Sequence, residues 1–572
     1  MVAREHCDVA GADLPGGTLL PAAQPLKVLF VLKNLTGFLR FFVSPLEFLV
    51  ARGHSVHLLL EDGRHGPVEQ AWLDRMKLHP NFNCDIVDHF RSSPWQTPAT
   101  EIRRALNYVR YLDPAFSDRP VYRWRSDRRS SDFIKRLTAS SFMRTPLALS
   151  LLRRLLSFLD RAMPRPPAVG EYVDRLRPDL VALCDYGIAG SLASSYVEAA
   201  RERGIPSAIC VASWDNLSTR QLFRVEPDLM VVWNEQQVQE AVEIHGMSAE
   251  RVVVTGAQCF DHWFTWTPRD RGEFCRRVGL RTDRPFVLWV GGALAHAERT
   301  EPEFVADWLE ALRESEDESL RELGVLLRPH PNRFKQWLSV DFSRFDNVTV
   351  WPRERMSMPT DTEQKADYFD SIFHSAAVLG INSSAMIEAA IVGRPVLGIR
   401  PGEFHDSHAG TFHFSYVIET EGGFVRTADS IDEHLEHVAA TLRSEDGDLV
   451  DRNTEFVRRF VRPHGLNRPA TPIFVDVLER VAETRGGRRR PSPWVPPSRA
   501  ALAGAILGMR AFKSLPRSVR RARASVRYRS MRAVKSLRRF VRRARASVRY
   551  RSGLVAARAR SYVGRSGQSP GE

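Results

Sequence analysis

Several absences bound the class of this 572-residue chain. Its six cysteines, Cys7, Cys84, Cys184, Cys210, Cys259 and Cys275, form no CxxC pair and lack the even, close spacing of a disulfide-stapled secreted module, so a reducing compartment is expected. No stretch reaches the roughly 18 apolar residues of a membrane span. Early acidic residues and the lack of a continuous apolar core argue against an export signal. The expected location is cytoplasmic, with peripheral attachment at the inner membrane as the alternative. No GxGxxG follows a candidate strand, which argues against a Rossmann dehydrogenase. No GxSxG follows one either, which argues against a nucleophile-elbow hydrolase.

Basic charge is also scarce in the body of the chain. The formal net charge is +14, but 25 of the 82 Lys and Arg, against one of the 68 Asp and Glu, lie in residues 485–572. The first 484 residues keep 57 basic and 67 acidic side chains, a net of −10, so polyanion binding does not define them and nucleic acid is not an expected partner. Residues 485–499 read as a Pro-, Gly- and Arg-rich linker. The tail beyond, 500–572, repeats VRRARASVRYRS at 519–530 and 541–552. A 22-residue period is close to six helical turns, so both copies would present similar faces of one helix. Val, Ala and Tyr interleaved with Arg fit an interfacial helix on anionic lipid; a solvated basic extension is the alternative.

What is present is a rhythm of short apolar runs. After a flexible 1–24, LKVLFVL at 26–32 reads as a buried strand, followed by a helix through Phe41, Leu46, Leu49 and Val50 and a second strand at 55–62. Residues 90–165, rich in Arg and aromatics, read as a helical insertion with an amphipathic helix at 145–160. Strands resume at 179–185, 207–213, 228–234 and 251–256. A second series follows a break near 265–284: 285–292, 324–331, 348–352, 376–383 and 394–400. Such runs separated by helical patterns predict parallel strands buried on both faces. The expected fold is α/β: two Rossmann-like doubly wound domains, 25–265 and 285–484, facing a cleft where ligands bind beyond the strands' carboxyl ends.

Three loops of the second domain carry chemistry. RPHP, 328–331, follows a strand, and the Arg328 guanidinium and His330 imidazole can both donate to phosphate oxygens while the prolines stiffen the loop. In GINSSAMIEAAIVGRPVL, 380–397, Ser383 and Ser384 open a helix carrying Glu388. Hydroxyls and amides there suit an anion, and Glu388 could accept from ribose hydroxyls. Gly291 and Gly292, closing the run 285–292, let the backbone approach a ligand closely. The loop 402–414 adds His405, Asp406, His408 and His413. Their spacing matches no standard zinc pattern, and a donor-contacting or cleft-closing loop is the favoured reading.

The two-domain organisation, the RPHP loop, the Ser-Ser…Glu helix and the following Gly-Arg-Pro-Val strand resemble the GT-B glycosyltransferases. Within that superfamily the likeness is to the group of CDP-glycerol glycerophosphotransferases, His-Pro-motif capsule sialyltransferases and polysialyltransferases, and UDP-N-acetylglucosamine 2-epimerase-like enzymes. It covers roughly residues 25–480, with specific motifs mainly in 285–410. The resemblance implies a nucleotide donor on the second domain and an acceptor on the first, with His330, Arg328, Ser383 and Ser384 on the donor phosphates and Glu388 on the ribose. Glycerophosphotransferases carry Asp-Tyr where this chain has Ile381-Asn382, and the epimerases carry Gly-Gly where it has Ser383-Ser384. As in the GT-B class there is no clear acidic pair for a divalent ion, so neither a metal nor a cofactor is expected beyond the nucleotide-activated substrate.

The acceptor side needs a general base. Asp185, ending its strand, and Asp215, in SWDN after another, are the candidates, with His330 as a further catalytic residue and His245 and Asp261 as weaker bases. The expected function is transfer of a sugar, or a sugar or polyol phosphate, to a polysaccharide or lipid-linked acceptor. The rivals are a 2-epimerase-like nucleotide-sugar enzyme and a non-catalytic membrane-associated scaffold.

Overall fold

Lys27–Leu32, the first apolar run, forms an inner strand of a seven-stranded sheet in a computed structural model of the chain. The structure describes residues 24–514 apart from 88–92, 118–119, 185–189, 224, 295–298, 355–361, 409, 445–447 and 485–493. The chain divides into two units, Met1–Arg499 and Ala500–Glu572. The described residues of the latter, 500–514, are helical, and both copies of the tail repeat lie outside the described residues. No helix among the described residues is long and apolar enough to cross a membrane.

The first sheet contains β1 (Lys27–Leu32), β2 (Ser55–Leu60), β3 (Phe82–Ile86), β4 (Leu180–Leu183), β5 (Ser207–Cys210), β6 (Leu229–Val232) and β7 (Val252–Val254). Their order is β3-β2-β1-β4-β5-β6-β7, and every pairing is parallel; Val31, for instance, lies opposite Leu59 on one side and Leu183 on the other. The second sheet contains β8 (Phe286–Val290), β9 (Gly324–Arg328), β10 (Val348–Val350), β11 (Val378–Gly380), β12 (Val396–Ile399) and β13 (Arg426–Ala428), ordered β10-β9-β8-β11-β12-β13 and again parallel. Both are doubly wound, so the expectation of two Rossmann-like sheets holds. Strand order reverses between β1 and β4 in one and between β8 and β11 in the other.

β3 and β13 were not legible as apolar runs. Both are edge strands, and FNCDI and RTA carry the polar, partly exposed side chains that keep edges from pairing further. The insertion is helical as expected, with helices Gln96–Arg110, Pro120–Asp127, Asp132–Leu137 and Pro146–Ala162. It has its own small core of Ala105, Tyr108, Val109, Ile134, Leu149, Leu152 and Leu156.

The helix after β1, Leu35–Ala51, is capped by Asn34, whose side chain accepts from the Gly37 amide, and it contains Pro45. Proline lacks the N–H that would bond the carbonyl four residues back. That carbonyl, on Phe41, instead accepts from Gln258 Nε2 at 3.1 Å, so a side chain beyond β7 fixes the turn that presents Arg40.

The helix Ala470–Glu483 lies within the range 285–484 assigned by sequence to the second domain, yet it packs on the first. Its Phe474, Val475 and Leu478 join the core built on β1 and the Leu35–Ala51 helix. Asp261 directs this return: its carboxylate accepts from the amides of Ala470 (3.0 Å) and Thr471 (2.7 Å) at the helix start and pairs with Arg462 at 2.9 Å. That occupation makes Asp261 part of the scaffold, not a base. Removing it strands a buried guanidinium and two helix-start amides, so Asp261→Ala is expected to cost about 3 kcal/mol in urea unfolding. A loss below about 1 kcal/mol would contradict this account.

Candidate functional site

In an open parallel sheet, ligand space lies past the carboxyl ends of the strands where their order reverses. Here the loops past both sheets border one cavity of about 2030 Å³. Gly291, Arg328, His330, Ser383, Ser384 and Glu388 line it from the second sheet, and Arg40, Trp214 and Asp215 from the first. The sequence motifs do converge.

The convergence depends on two residues without side chains. A Cβ on Gly291 would stand 2.9 Å from the His330 nitrogen, and one on Gly292 only 2.7 Å from the Asn382 carbonyl oxygen. The loop after β8 is thus pressed between those after β9 and β11. The Gly291 amide donates to the Arg328 carbonyl at 2.9 Å. The Gly292 amide donates to Glu301 at 2.9 Å, and Trp289 Nε1 donates to the same carboxyl at 3.2 Å. Gly292 is therefore a packing position whose amide is already occupied, and it does not line the cavity. Burial pushes the Glu301 carboxyl up to about 7, against the pull of those two donors.

Arg328 ends β9. Its Nη1 donates to Ser371 Oγ at 3.0 Å, and its guanidinium lies 4.7 Å from the centre of the Tyr368 ring. Among the described residues no carboxylate stands within ion-pairing distance of it. The Tyr368 hydroxyl donates to Glu388. Burial raises the Glu388 carboxyl above the usual range, while Arg40, Tyr368 and Arg328 pull it back. His330 Nδ1 accepts from the Asn332 amide at 3.2 Å. Burial, followed by the charges of Arg40 and Arg333, lowers the imidazole to about 4. At neutral pH the ring is thus uncharged, with its proton on Nε2: a hydrogen-bond donor, not a cation.

The helix that Ser383 and Ser384 introduce, Ala385–Ile391, has seven residues, and its leading amides are occupied internally. The Ala385 amide donates to Ser383 Oγ, Met386 to the Ser383 carbonyl and Ile387 to the Ser384 carbonyl. The hydroxyls, not the helix dipole, are what this turn offers. Ser384 Oγ also accepts from Trp214 Nε1 at 3.2 Å, a bond between the two sheets' loops.

Asp215 sits in the turn after β5. Asn216 and Thr219 donate to its carboxylate at 3.3 Å, as in a local turn, and the carboxylate also lines the cavity. Burial would raise it, but His413, the Ser213 hydroxyl and Arg220 hold it below the ordinary range. His413 comes from the loop 402–414, and its ring lies edge-on to Trp214 at 4.9 Å.

Other candidates fall elsewhere. Asp185 lies outside the described residues. His405 does not line the cavity; its half-exposed ring is 3.8 Å from Asp406. His408 bonds the Pro401 carbonyl at 2.9 Å. The His405 and His408 rings meet edge-on at 5.8 Å while His413 lies against Trp214, and no group of three or more metal-ligating side chains occurs among the described residues. His245 is structural: its Nε2 bonds the Leu217 carbonyl at 2.8 Å, its ring stacks on Phe223, and burial lowers it to about 3. Arg40, Tyr368, Trp214 and Glu301 were missed. Arg40 carried a weak signal, a lone cation in the apolar run GFLRFF beyond the first strand.

Two doubly wound parallel sheets whose carboxyl ends share a cleft define the GT-B architecture. No family model matches the chain, and no curated protein matches it. Among solved structures it is similar to a glycosyltransferase from Rickettsia africae, with 10% identity, 80% of this chain and 99% of the other covered, and a TM-score of 0.44. It is similar to the UDP-GlcNAc 2-epimerase from Neisseria meningitidis bound to UDP-GlcNAc, with 11% identity, 80% and 100% covered, and a TM-score of 0.43. MurG from Acinetobacter baumannii matches with 15% identity, 80% and 100% covered, and a TM-score of 0.41.

Glu301 titrates near 7 in the folded chain and near the ordinary 4.5 when unfolded, so between those values the folded state holds the extra proton and stability falls as pH rises. Glu240, raised by burial to about 7, acts in the same sense. Glu301→Gln is expected to flatten, without abolishing, the fall in Tm between about pH 5 and pH 7.5. A variant whose Tm follows pH as steeply as the parent would refute the assignment.

Proposed function

We propose that the chain is a glycosyltransferase that moves a sugar from a nucleotide-activated donor to an acceptor hydroxyl in cell-surface polysaccharide or glycolipid synthesis. One observation supports this most: a guanidinium without a carboxylate partner, a neutral imidazole donor, two hydroxyls and a buried carboxyl line the same cleft wall, opposite the Asp215 and His413 pair. The donor's phosphates meet Arg328, His330 and the Ser383 and Ser384 hydroxyls, and its ribose meets Glu388, held in place by Tyr368.

As the acceptor oxygen bonds the anomeric carbon, the bond from that carbon to the donor phosphate breaks and its electron pair stays on the leaving phosphate. Arg328 and the cleft-side Arg40 meet that developing charge, so they favour the transition state over the ground state. The acceptor proton passes to the Asp215 carboxylate, a weak base because neighbouring positive charge holds it low, so it accepts only as the acceptor oxygen bonds to carbon. In this reading the protein is cytoplasmic and needs no resident metal, and its basic tail adds a hold on anionic membrane where lipid-linked acceptors collect.

A thermal-shift panel of nucleotides and nucleotide sugars is the direct test. A ligand at about a hundred times its Kd stabilises by about 2.7 kcal/mol, enough to raise Tm by several degrees. The shift should vanish in Arg328→Ala and shrink in His330→Ala. No shift with any nucleotide would favour a scaffold, and conversion of UDP-N-acetylglucosamine to its 2-epimer without acceptor would favour an epimerase. Asp215→Asn should lower kcat by about 10²- to 10⁴-fold while leaving the donor-induced shift intact; unchanged kcat would remove Asp215 from the proton path.

A further inference from the structure

The helical insertion carries an apolar face that nothing among the described residues covers. On the helix Pro146–Ala162, Leu149, Leu152 and Leu156 point into the insertion's core. Leu147, Leu151 and Leu155 repeat at every fourth position on another side and are exposed by 72%, 56% and 54%. Phe142, in the turn just before this helix, and Phe133, in the helix Asp132–Leu137, are each 75% exposed. A helix with one leucine stripe in a core and a second in water has two apolar faces and one visible partner.

The charge around this face is opposite in sign to the rest of the body. Residues 123–161 hold ten basic and three acidic side chains, while the first 484 residues together are net −10. Of the three acids, Asp160 is buried against Arg103 and Asp127 is paired with Lys135. By the 3.6-residue period, Arg154 and Arg161 border the leucine stripe, with Arg144 at the helix start. Leucines and phenylalanines outward with arginines along the margin is the pattern of a surface that enters the headgroup region of an anionic bilayer. A second copy of the chain is the poorer occupant, because a two-fold contact through this face would set two strongly positive patches against each other.

We propose that the Leu147, Leu151 and Leu155 face, with Phe142 beside it, docks the folded body on an anionic lipid surface, independently of the tail and of what the cleft transfers. The insertion also reaches the cleft. Arg125 lines the cavity, and Tyr122 accepts from the Phe412 amide at 3.0 Å while its ring stacks on Phe412 at 5.4 Å. Docking by this face sets the cleft beside the membrane, where an acceptor need not leave the bilayer entirely. With the arginine-rich tail it supplies the second of the two signals that stable peripheral binding requires.

The test uses the full chain and sedimentation with phosphatidylcholine vesicles, with and without phosphatidylglycerol. High salt screens the tail's arginines and leaves apolar insertion in place. Leu147→Ser/Leu151→Ser/Leu155→Ser alters only exposed side chains, so its Tm should match the parent's. Its partitioning onto phosphatidylglycerol vesicles in high salt should fall roughly tenfold or more. Hydrogen exchange should slow in peptides covering 142–158 when vesicles are added to the parent and remain unchanged in the variant. Equal partitioning of the two proteins, or no slowing in those peptides, would overturn the proposal. So would a lipid-free parent dimer, seen by analytical ultracentrifugation, that the triple substitution splits.

Discussion

Three strand ends in the second sheet stand closer together than side chains would permit, and the rest of the cleft depends on that approach. Gly291 brings the β8 loop against the backbone at His330, and Gly292 brings it against the carbonyl of Asn382. A Cβ at either position would push the RPHP loop or the turn before the paired serines outward and change the cleft wall that both build. Glu301 completes the clamp by taking up the Gly292 amide and Trp289 Nε1. Its carboxyl is raised to about 7 for that service: a buried acid accepts two hydrogen bonds at the expense of easy ionisation.

Around this frame the charges are arranged by contrast. Arg40 and Arg328, from different sheets, line the cavity with no carboxylate in ion-pairing range among the described residues, whereas Arg269, Arg277 and Arg462 nearby are all paired. Cations left without counterions in a cleft hold a positive potential that an anionic ligand can relieve. The loops of the two sheets meet through a few polar bonds: Trp214 to Ser384 at 3.2 Å, Tyr416 to Glu240 at 2.7 Å and Tyr122 to Phe412 at 3.0 Å. Beneath these bonds one apolar cluster runs between the halves, with Trp214, Trp233 and Phe260 packed in it together with Phe414, Phe456 and Phe460.

Legibility in the sequence followed burial and sequence distance. β1, β8 and β9 read clearly because strands buried on both faces are mostly apolar runs; β3 and β13 did not, because FNCDI and RTA are polar at the sheet edges. Arg328, His330, Ser383, Ser384 and Glu388 could be found because each follows a recognisable strand within a few residues. Arg40, Tyr368 and Trp214 could not, since what matters about them is whom they meet: Trp214 bonds a serine 170 residues away. Asp261 was misread for the same reason, its partners Ala470 and Thr471 lying over 200 residues on. His413 was visible as one of a cluster of loop histidines whose spacing matches no zinc pattern, but nothing in the sequence placed its ring against Trp214, 199 residues earlier.

The neutrality of His330 follows from this arrangement. Burial, then the charges of Arg40 and Arg333, lower the imidazole to about 4, so the ring offers Nε2–H without adding a full positive charge. A protonated imidazole beside Arg328 and Arg40 would add a third full charge to that wall and grip any anion without regard to direction. A neutral donor contributes direction instead, since its hydrogen bond is oriented where a point charge is not. The guanidinium supplies attraction and the imidazole supplies geometry, and burial, helped by the charges of Arg40 and Arg333, keeps the imidazole uncharged.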